Sequence, residues 1–275
     1  MHLSDIIYLW NDGLETASLE IATIVQSTVS TSPMRMLRYG AIPPDEFLAW
    51  LTRGIRADLE EEATHPRIRW IDSKIGDRNV VRCESLVIKD HDLKSLQVPN
   101  GTQQKDELGR IVAHAAFLYH PPVESRAHGA EGQQKMGKDL NPLPASGHRE
   151  LQHHFNMAVE SALRAHFGGM HCFEVRELNV LAPDYWRKGI ASKLLNWIIA
   201  KADQKNIPIV LAATPPGYPL YLKHGFVEVE DENKIVECDM SEWGGTGIHR
   251  HVLMIREPKS TNTEAADPGG SHAAC

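Results

Sequence analysis

The chain has 275 residues, 42% of them hydrophobic and 24% charged, so it can bury a core of its own as one large domain or two small ones. A net charge of -7 argues against a globally basic surface for nucleic acid, and no apolar run approaches the roughly 18 residues that span a bilayer. A soluble protein is expected, cytoplasmic or else nuclear, with no nucleic-acid and no membrane partner. Cys83, Cys172, Cys238 and Cys275 form no CxxC pair, and the fifteen histidines show no ligand spacing, so no metal is expected.

Two amphipathic helices are predicted first, over Glu15–Thr28 with Ser32-Pro33 as the stop, and over Asp45–Ala63 before His65-Pro66. Strand-like segments follow at Ile68–Ile75, Val80–Lys89 and Arg110–Leu118, read as an antiparallel meander. Residues 120–147, rich in Pro, Gly and charge, are expected to form a mobile insertion. A helix is predicted from His148 or Arg149 to Phe167, closed by Gly168-Gly169. From there the order is a strand at Cys172–Leu181, a helix at Arg187–Gln204, a strand at Ile207–Ala213, a short helix at Pro216–His224 and a strand at Phe226–Glu230. Strands at Ile235–Asp239 and His251–Arg256 complete an antiparallel end, and Gly244-Gly245-Thr246-Gly247 between them reads as a hairpin or loop. This pattern gives an α/β (α+β mixed) class with a parallel βαβ element in a mixed, mostly antiparallel sheet. One domain is expected over 1–257 and a disordered tail over 258–275.

The chemistry concentrates between Phe173 and Leu195. An apolar strand ends at Pro183, and Gly189 then opens a helix whose inner face carries Ile190, Leu194 and Ile198. A helix start exposes unpaired N–H groups and the positive end of the dipole, which together make an anion cradle. Gly189 and Ala191 admit a bulky phosphate, Arg187 and Lys188 add positive charge, and Ser192 closes the segment. Within the strand, Phe173 and Val175 are odd while Leu178 and Val180 are even, so an extra residue near Arg176 or Glu177, a β-bulge, is required if all four face one core.

Trp186-Arg187-Lys188-Gly189-Ile190-Ala191 resembles the acetyl-CoA signature of the GNAT N-acetyltransferase superfamily, (Gln/Arg)-x-x-Gly-x-(Gly/Ala), with Trp186 where Gln or Arg is usual. Leu220-Tyr-Leu-Lys-His-Gly-Phe226 resembles the family's (Leu/Phe)-Tyr-x-x-x-Gly-Phe segment, and the usual upstream Asn is replaced by Thr214 or Pro215. The likeness covers about 171–230, and the N-terminal half looks more loosely like fungal-type members. It implies a splayed parallel strand pair flanked by helices and acetyl-CoA as cosubstrate. It further implies diphosphate binding at Arg187, Lys188, Gly189, Ile190, Ala191 and Ser192, pantetheine contacts at Asn179 and Val180, and Tyr221 as acid for the departing thiolate. Removal of the amine proton needs a carboxylate acting directly or through water, for which Glu177, then Glu174, are the strand candidates. The expected partner is a small-molecule amine, the alternatives being a protein or peptide acceptor and a catalytically silent CoA-binding module.

Overall fold

A computed structural model describes residues 1–9, 13–64, 82–98, 108–122 and 141–259. Helix α1 (Leu14–Ser27) buries Ala17, Ile21 and Ile24, one stripe at helical spacing, against Val87 and Ile111 of the sheet. Proline 33 does not simply end that helix. With its ring at a position whose N–H would be unpaired anyway, Pro33 starts a second, unforeseen helix, α2 (Pro33–Tyr39). Helix α3 (Pro44–Thr64) begins with Asp45 and Glu46 at the positive end of its dipole and adds Leu59 to the α1 layer.

The sheet runs β1 (Ile7–Tyr8), β2 (Arg82–Lys94), β3 (Leu108–His120), β4 (Cys172–Val180), β5 (Ile209–Ala213), β8 (Ile248–Arg256) and β6 (Val227–Glu228), with β7 (Ile235–Asp239) also on β8. All pairs are antiparallel except β4 with β5. The predicted hairpin turn joins β7 to β8, with Gly244 and Gly247 at φ 82° and 79°. Where β2 and β3 slip register, the buried Glu20 of α1 accepts from Ile111 N at 2.9 Å and Leu96 N at 3.0 Å. It thereby satisfies two N–H groups that the irregular ladder leaves over.

Helix α4 (Arg149–Phe167) starts at His148, whose Nδ1 accepts from Leu151 N at 3.4 Å. It packs Leu151 and Phe155 against Met34 of α2 and against Val236 and Cys238 of β7. On the opposite face, α5 (Ile190–Lys205) buries Ile190, Leu194, Leu195 and Ile198 with Phe117, Phe173 and Tyr221, the last on α6 (Tyr218–Lys223).

Of the predicted insertion, residues 141–147 are packed. Trp50 Nε1 donates to Asn141 O and Asn141 Nδ2 to Trp50 O, both at 2.9 Å, and Leu143 is buried beside Phe47. His120 is the last residue of β3, residues 123–140 lie outside the described residues, and so do the predicted strand at Ile68–Ile75 and all of the tail beyond Lys259.

Candidate active site

Strands β4 and β5 are in register only at Phe173 with Ile209 and at Glu174 with Val210, and beyond that they part. The required bulge lies where they separate. Ala116 of β3 faces Glu177 while Phe117 faces Val175, leaving Arg176 as the extra residue. It lets Phe173, Val175, Leu178 and Val180 all reach the α5 core despite their opposite parity. Past the bulge, Leu181 N donates to Val112 O at 2.9 Å. The antiparallel alternation then turns the backbone of Asn179 toward β3 and that of Val180 toward the open side. Of the two predicted pantetheine contacts, Val180 is thus the one whose N–H and C=O face the opening.

The loop from Pro183 to Gly189 is pinned by two adjacent side chains. Tyr185 Oη donates at 2.6 Å to Asp90, a buried carboxylate that also accepts from His2 N and Asp92 N, each at 3.0 Å. Burial and this bond push the Tyr185 phenol up to about 12. Trp186, where the family signature has Gln or Arg, donates from Nε1 to Val180 O at 2.9 Å and so ties the loop to the tip of β4. The helix begins three residues later than predicted, because Arg187 (φ 59°) and Gly189 (φ 77°) are both left-handed. No side chain caps it, so the N–H groups of its first turn are open. A Cβ on Gly189 would meet nothing within 4 Å. The glycine therefore serves the backbone angle and leaves open space in front of that turn. Arg187, Lys188 and Gly189 are exposed, Ile190 is buried in the core, and Ser192 Oγ lies 3.0 Å from His224 Nε2.

Tyr221 is 8% exposed and packs edge-on to Phe226 at 5.5 Å. Its hydroxyl makes no hydrogen bond among the described residues, and burial alone pushes its phenol up to about 12. The two carboxylates of β4 differ. Glu174 Oε2 is bonded to His120 Nε2 at 2.8 Å, below the parting of the strands. Glu177 Oε2 lies 3.5 Å from His114 Nδ1 and accepts from Asn179 Nδ2 at 3.3 Å. Burial pushes the Glu177 carboxyl up, but His114, Arg176 and Arg35 outweigh it and hold the group below the usual carboxylate range.

His114 escapes a sequence reading. It sits mid-strand in an apolar run, only 4% exposed, and neither ring nitrogen has a hydrogen-bond partner. On the same side of the sheet lie Glu62 and Asp58 of α3, both pushed up by burial, and Glu62 accepts from Ser85 Oγ at 3.1 Å. Their only signal in the sequence is an acidic run, which reads as a solvated helix end. Among the described residues no group of three or more His, Cys, Asp or Glu could hold a metal ion, and no helix is long and apolar enough to cross a membrane.

Residues 148–228, from the cap of α4 through β6, match the family described as Acetyltransferase (GNAT) domain. Over this stretch the chain is similar to GNAT acetyltransferase domains, a likeness that points to an acyltransferase. The fold agrees over nearly the whole chain. The crystal structure of arylalkylamine N-acetyltransferase 2 from Aedes aegypti is 14% identical, covers 93% of this chain and 100% of its own, and superposes with a TM-score of 0.51. PaiA N-acetyltransferase from Thermoplasma acidophilum, solved in complex with coenzyme A, is 13% identical over 94% of this chain and 99% of its own, with a TM-score of 0.41. No curated protein sequence matches the chain.

Proposed function

We propose that the protein transfers the acetyl group of acetyl-CoA to the amine of a small molecule, by direct attack of the amine on the thioester. The observation that carries this reading is the parting of β4 from β5 beside the uncapped, glycine-opened start of α5. Acetyl-CoA supplies an activated acetyl group and a diphosphate. The open N–H groups of Ile190, Ala191 and Ser192, with Arg187 and Lys188 at the mouth, are suited to hold that diphosphate. Val180 N–H, on the open side of β4, is placed to donate to a pantetheine amide or to the oxyanion that develops on the acetyl carbonyl.

As the C–N bond forms, the amine proton passes to Glu177, directly or through water. As the C–S bond breaks, Tyr221 supplies a proton to the sulfur, and a phenol with a pKa of about 12 is fully protonated at neutral pH. Glu174, engaged by His120, is assigned to holding β3 and β4 together. The cover that α2 and α4 form with β7 over the sheet favours a compact acceptor over an extended peptide.

Acetyl-CoA binding by thermal shift and CoA release over polyamines, aralkyl amines, amino acids and histone-tail peptides test the reading. Release with small amines and not with peptides is expected. Release with peptides alone would move the acceptor to that class, and binding without release across the panel would leave a CoA-binding module.

A further inference from the structure

Over the face of the sheet opposite α5, side chains from four elements form an arc from the tip of β4 to β8. The end of α1 meets that tip, where Ser27 Oγ accepts from Ala182 N at 3.0 Å. One residue on, Thr28 Oγ1 accepts from Arg35 Nη1 of α2 at 2.6 Å. Arg38 of α2 donates from Nη2 to Asn156 of α4 at 3.0 Å, and its guanidinium carbon lies 4.9 Å from the centroid of the Tyr39 ring. Beside Asn156, Phe155 meets the rings of His251 and His249 at 4.9 and 5.3 Å, and these two imidazoles of β8 are 5.1 Å apart. The arc thus runs from the end of β4 to β8, the strand that pairs with β5.

Its charge is unbalanced. Neither Arg35 nor Arg38 pairs with a carboxylate among the described residues, and Arg38 Nε is buried with no hydrogen-bond partner, as is His251 Nδ1. Burial, then the charges of Arg38 and Arg35, push His249 down to about 4. Burial, His249 and the same two arginines push His251 down to about 3. Both imidazoles are therefore neutral at pH 7, and the local charge is that of the two guanidiniums. The charge of Arg35 also helps to hold Glu177 below the usual carboxylate range, so the carboxylate assigned to the amine proton lies within electrostatic reach of Arg35. In a chain of net charge -7, two neighbouring half-buried guanidiniums without an acid are unfavourable until an anion joins them. Guanidinium donors match a carboxylate in plane and spacing, and one Nη of each is already engaged by Thr28 or Asn156, which leaves donors for one compact anion.

We propose that the acceptor amine carries a carboxylate, bound by Arg35 and Arg38 under α2, with its amino group toward Glu177 and the parting of β4 from β5. This rests on the acetyl-transfer reading and specifies its substrate class.

The test uses amines that differ from a partner by one carboxylate: phenylalanine and phenethylamine, tryptophan and tryptamine, 4-aminobutyrate and propylamine. Each is titrated calorimetrically into the protein with and without CoA, and each is assayed for CoA release from acetyl-CoA. In at least one pair the carboxylated member is expected to bind or turn over about tenfold better or more, the scale of a charge-assisted hydrogen bond. Arg35→Met and Arg38→Met should erase that advantage, and Arg35→Lys, which keeps the charge without the planar fork, should restore part of it. Equal or better use of the decarboxylated members by the wild-type protein, or a preference untouched by both Met variants, overturns the proposal and leaves acetyl transfer standing. Binding of a carboxylated amine that Arg35→Met abolishes, with no CoA release, upholds the carboxylate site and overturns acetyl transfer. No binding and no turnover of any carboxylated member overturns the carboxylate site.

Discussion

The two sides of the β4–β5 opening are built differently. The side read as the cofactor's is continuous in sequence, running from the bulge at Arg176 through Val180 and the pinned loop to the first turn of α5, and its groups are mostly backbone N–H. The side read as the acceptor's is assembled from α1, α2, α3, α4, β3 and β8, and its groups are side chains: Arg35, Arg38, Glu62, His114, His249 and His251. A backbone site depends on glycine, on helix starts and on strand parity, which constrain a short stretch of sequence. A side-chain site depends on residues that only the fold brings together.

The largest expected effect falls on the cofactor side. Gly189→Asp puts a negative charge before the first turn of α5, and losing two charge-assisted hydrogen bonds at about 1.5–3 kcal/mol each implies roughly 10² to 10⁴ in acetyl-CoA affinity. The added Cβ meets nothing within 4 Å, so packing is not the cause. Asparagine tolerates the left-handed angle of Gly189 and carries no charge, so Gly189→Asn should lose far less. Calorimetry showing equal losses for Asp and Asn would assign the effect to backbone strain and break the anion-cradle reading. Next comes Tyr221→Phe, which keeps the ring contact with Phe226 and removes the hydroxyl. The single-turnover acetylation rate should fall about 10² to 10⁴, with acetyl-CoA affinity nearly unchanged. A wild-type rate would return Tyr221 to packing.

Glu177→Gln tests the point where the two sides meet. Because its folded pKa is depressed, Glu177 is ionised in the native state above the ordinary carboxylate range, and its favourable pairing with His114 is lost as pH falls through that depressed value. Across neutral and alkaline pH the base form is therefore always present, and the wild-type rate there follows deprotonation of the amine. The substitution should cost about 10² in rate at pH 7 and less at higher pH, where free amine is plentiful. A profile superimposable on that of the wild type would leave Glu177 structural.

What the sequence made legible follows the same division. The bulge was readable because two odd and two even apolar residues had to share one core, and the helix opening at Gly189 because a glycine there has a backbone reason. The start of α5 lies three residues beyond the one its sequence suggests, since the left-handed angle of Arg187 leaves no compositional trace. Helix α2 is not legible in the sequence because Pro33 carries the same signal for a stop as for a first helical position. Arg35, Arg38 and His114 were illegible for a different reason. Each is unremarkable in its own segment, and its meaning lies in partners it lacks or in a strand 63 residues away, as for His114 and Glu177.

The smallest expected effect asks whether the cofactor side is set by its backbone alone. Trp186 is 38% exposed, and its indole donates from Nε1 to Val180 O. A neutral, partly exposed hydrogen bond contributes about 0.5–1.5 kcal/mol, so Trp186→Phe should change acetyl-CoA affinity by roughly two- to tenfold. The sign carries the information. If the bond holds the loop so that the first-turn N–H groups are aligned in advance, its loss weakens binding. If it instead occupies a carbonyl that a pantetheine amide would otherwise use, its loss strengthens binding. The Tyr185–Asp90 bond pins the loop independently at 2.6 Å and survives the substitution, so gross loosening is not expected. We expect affinity to fall by a few-fold, with amine KM unchanged because no hydrogen bond or ring contact joins Trp186 to an acceptor-side residue among the described residues. Tighter acetyl-CoA binding by Trp186→Phe in calorimetry would show that Val180 O belongs to the cofactor, and an altered amine KM would show that the two sides are not separable.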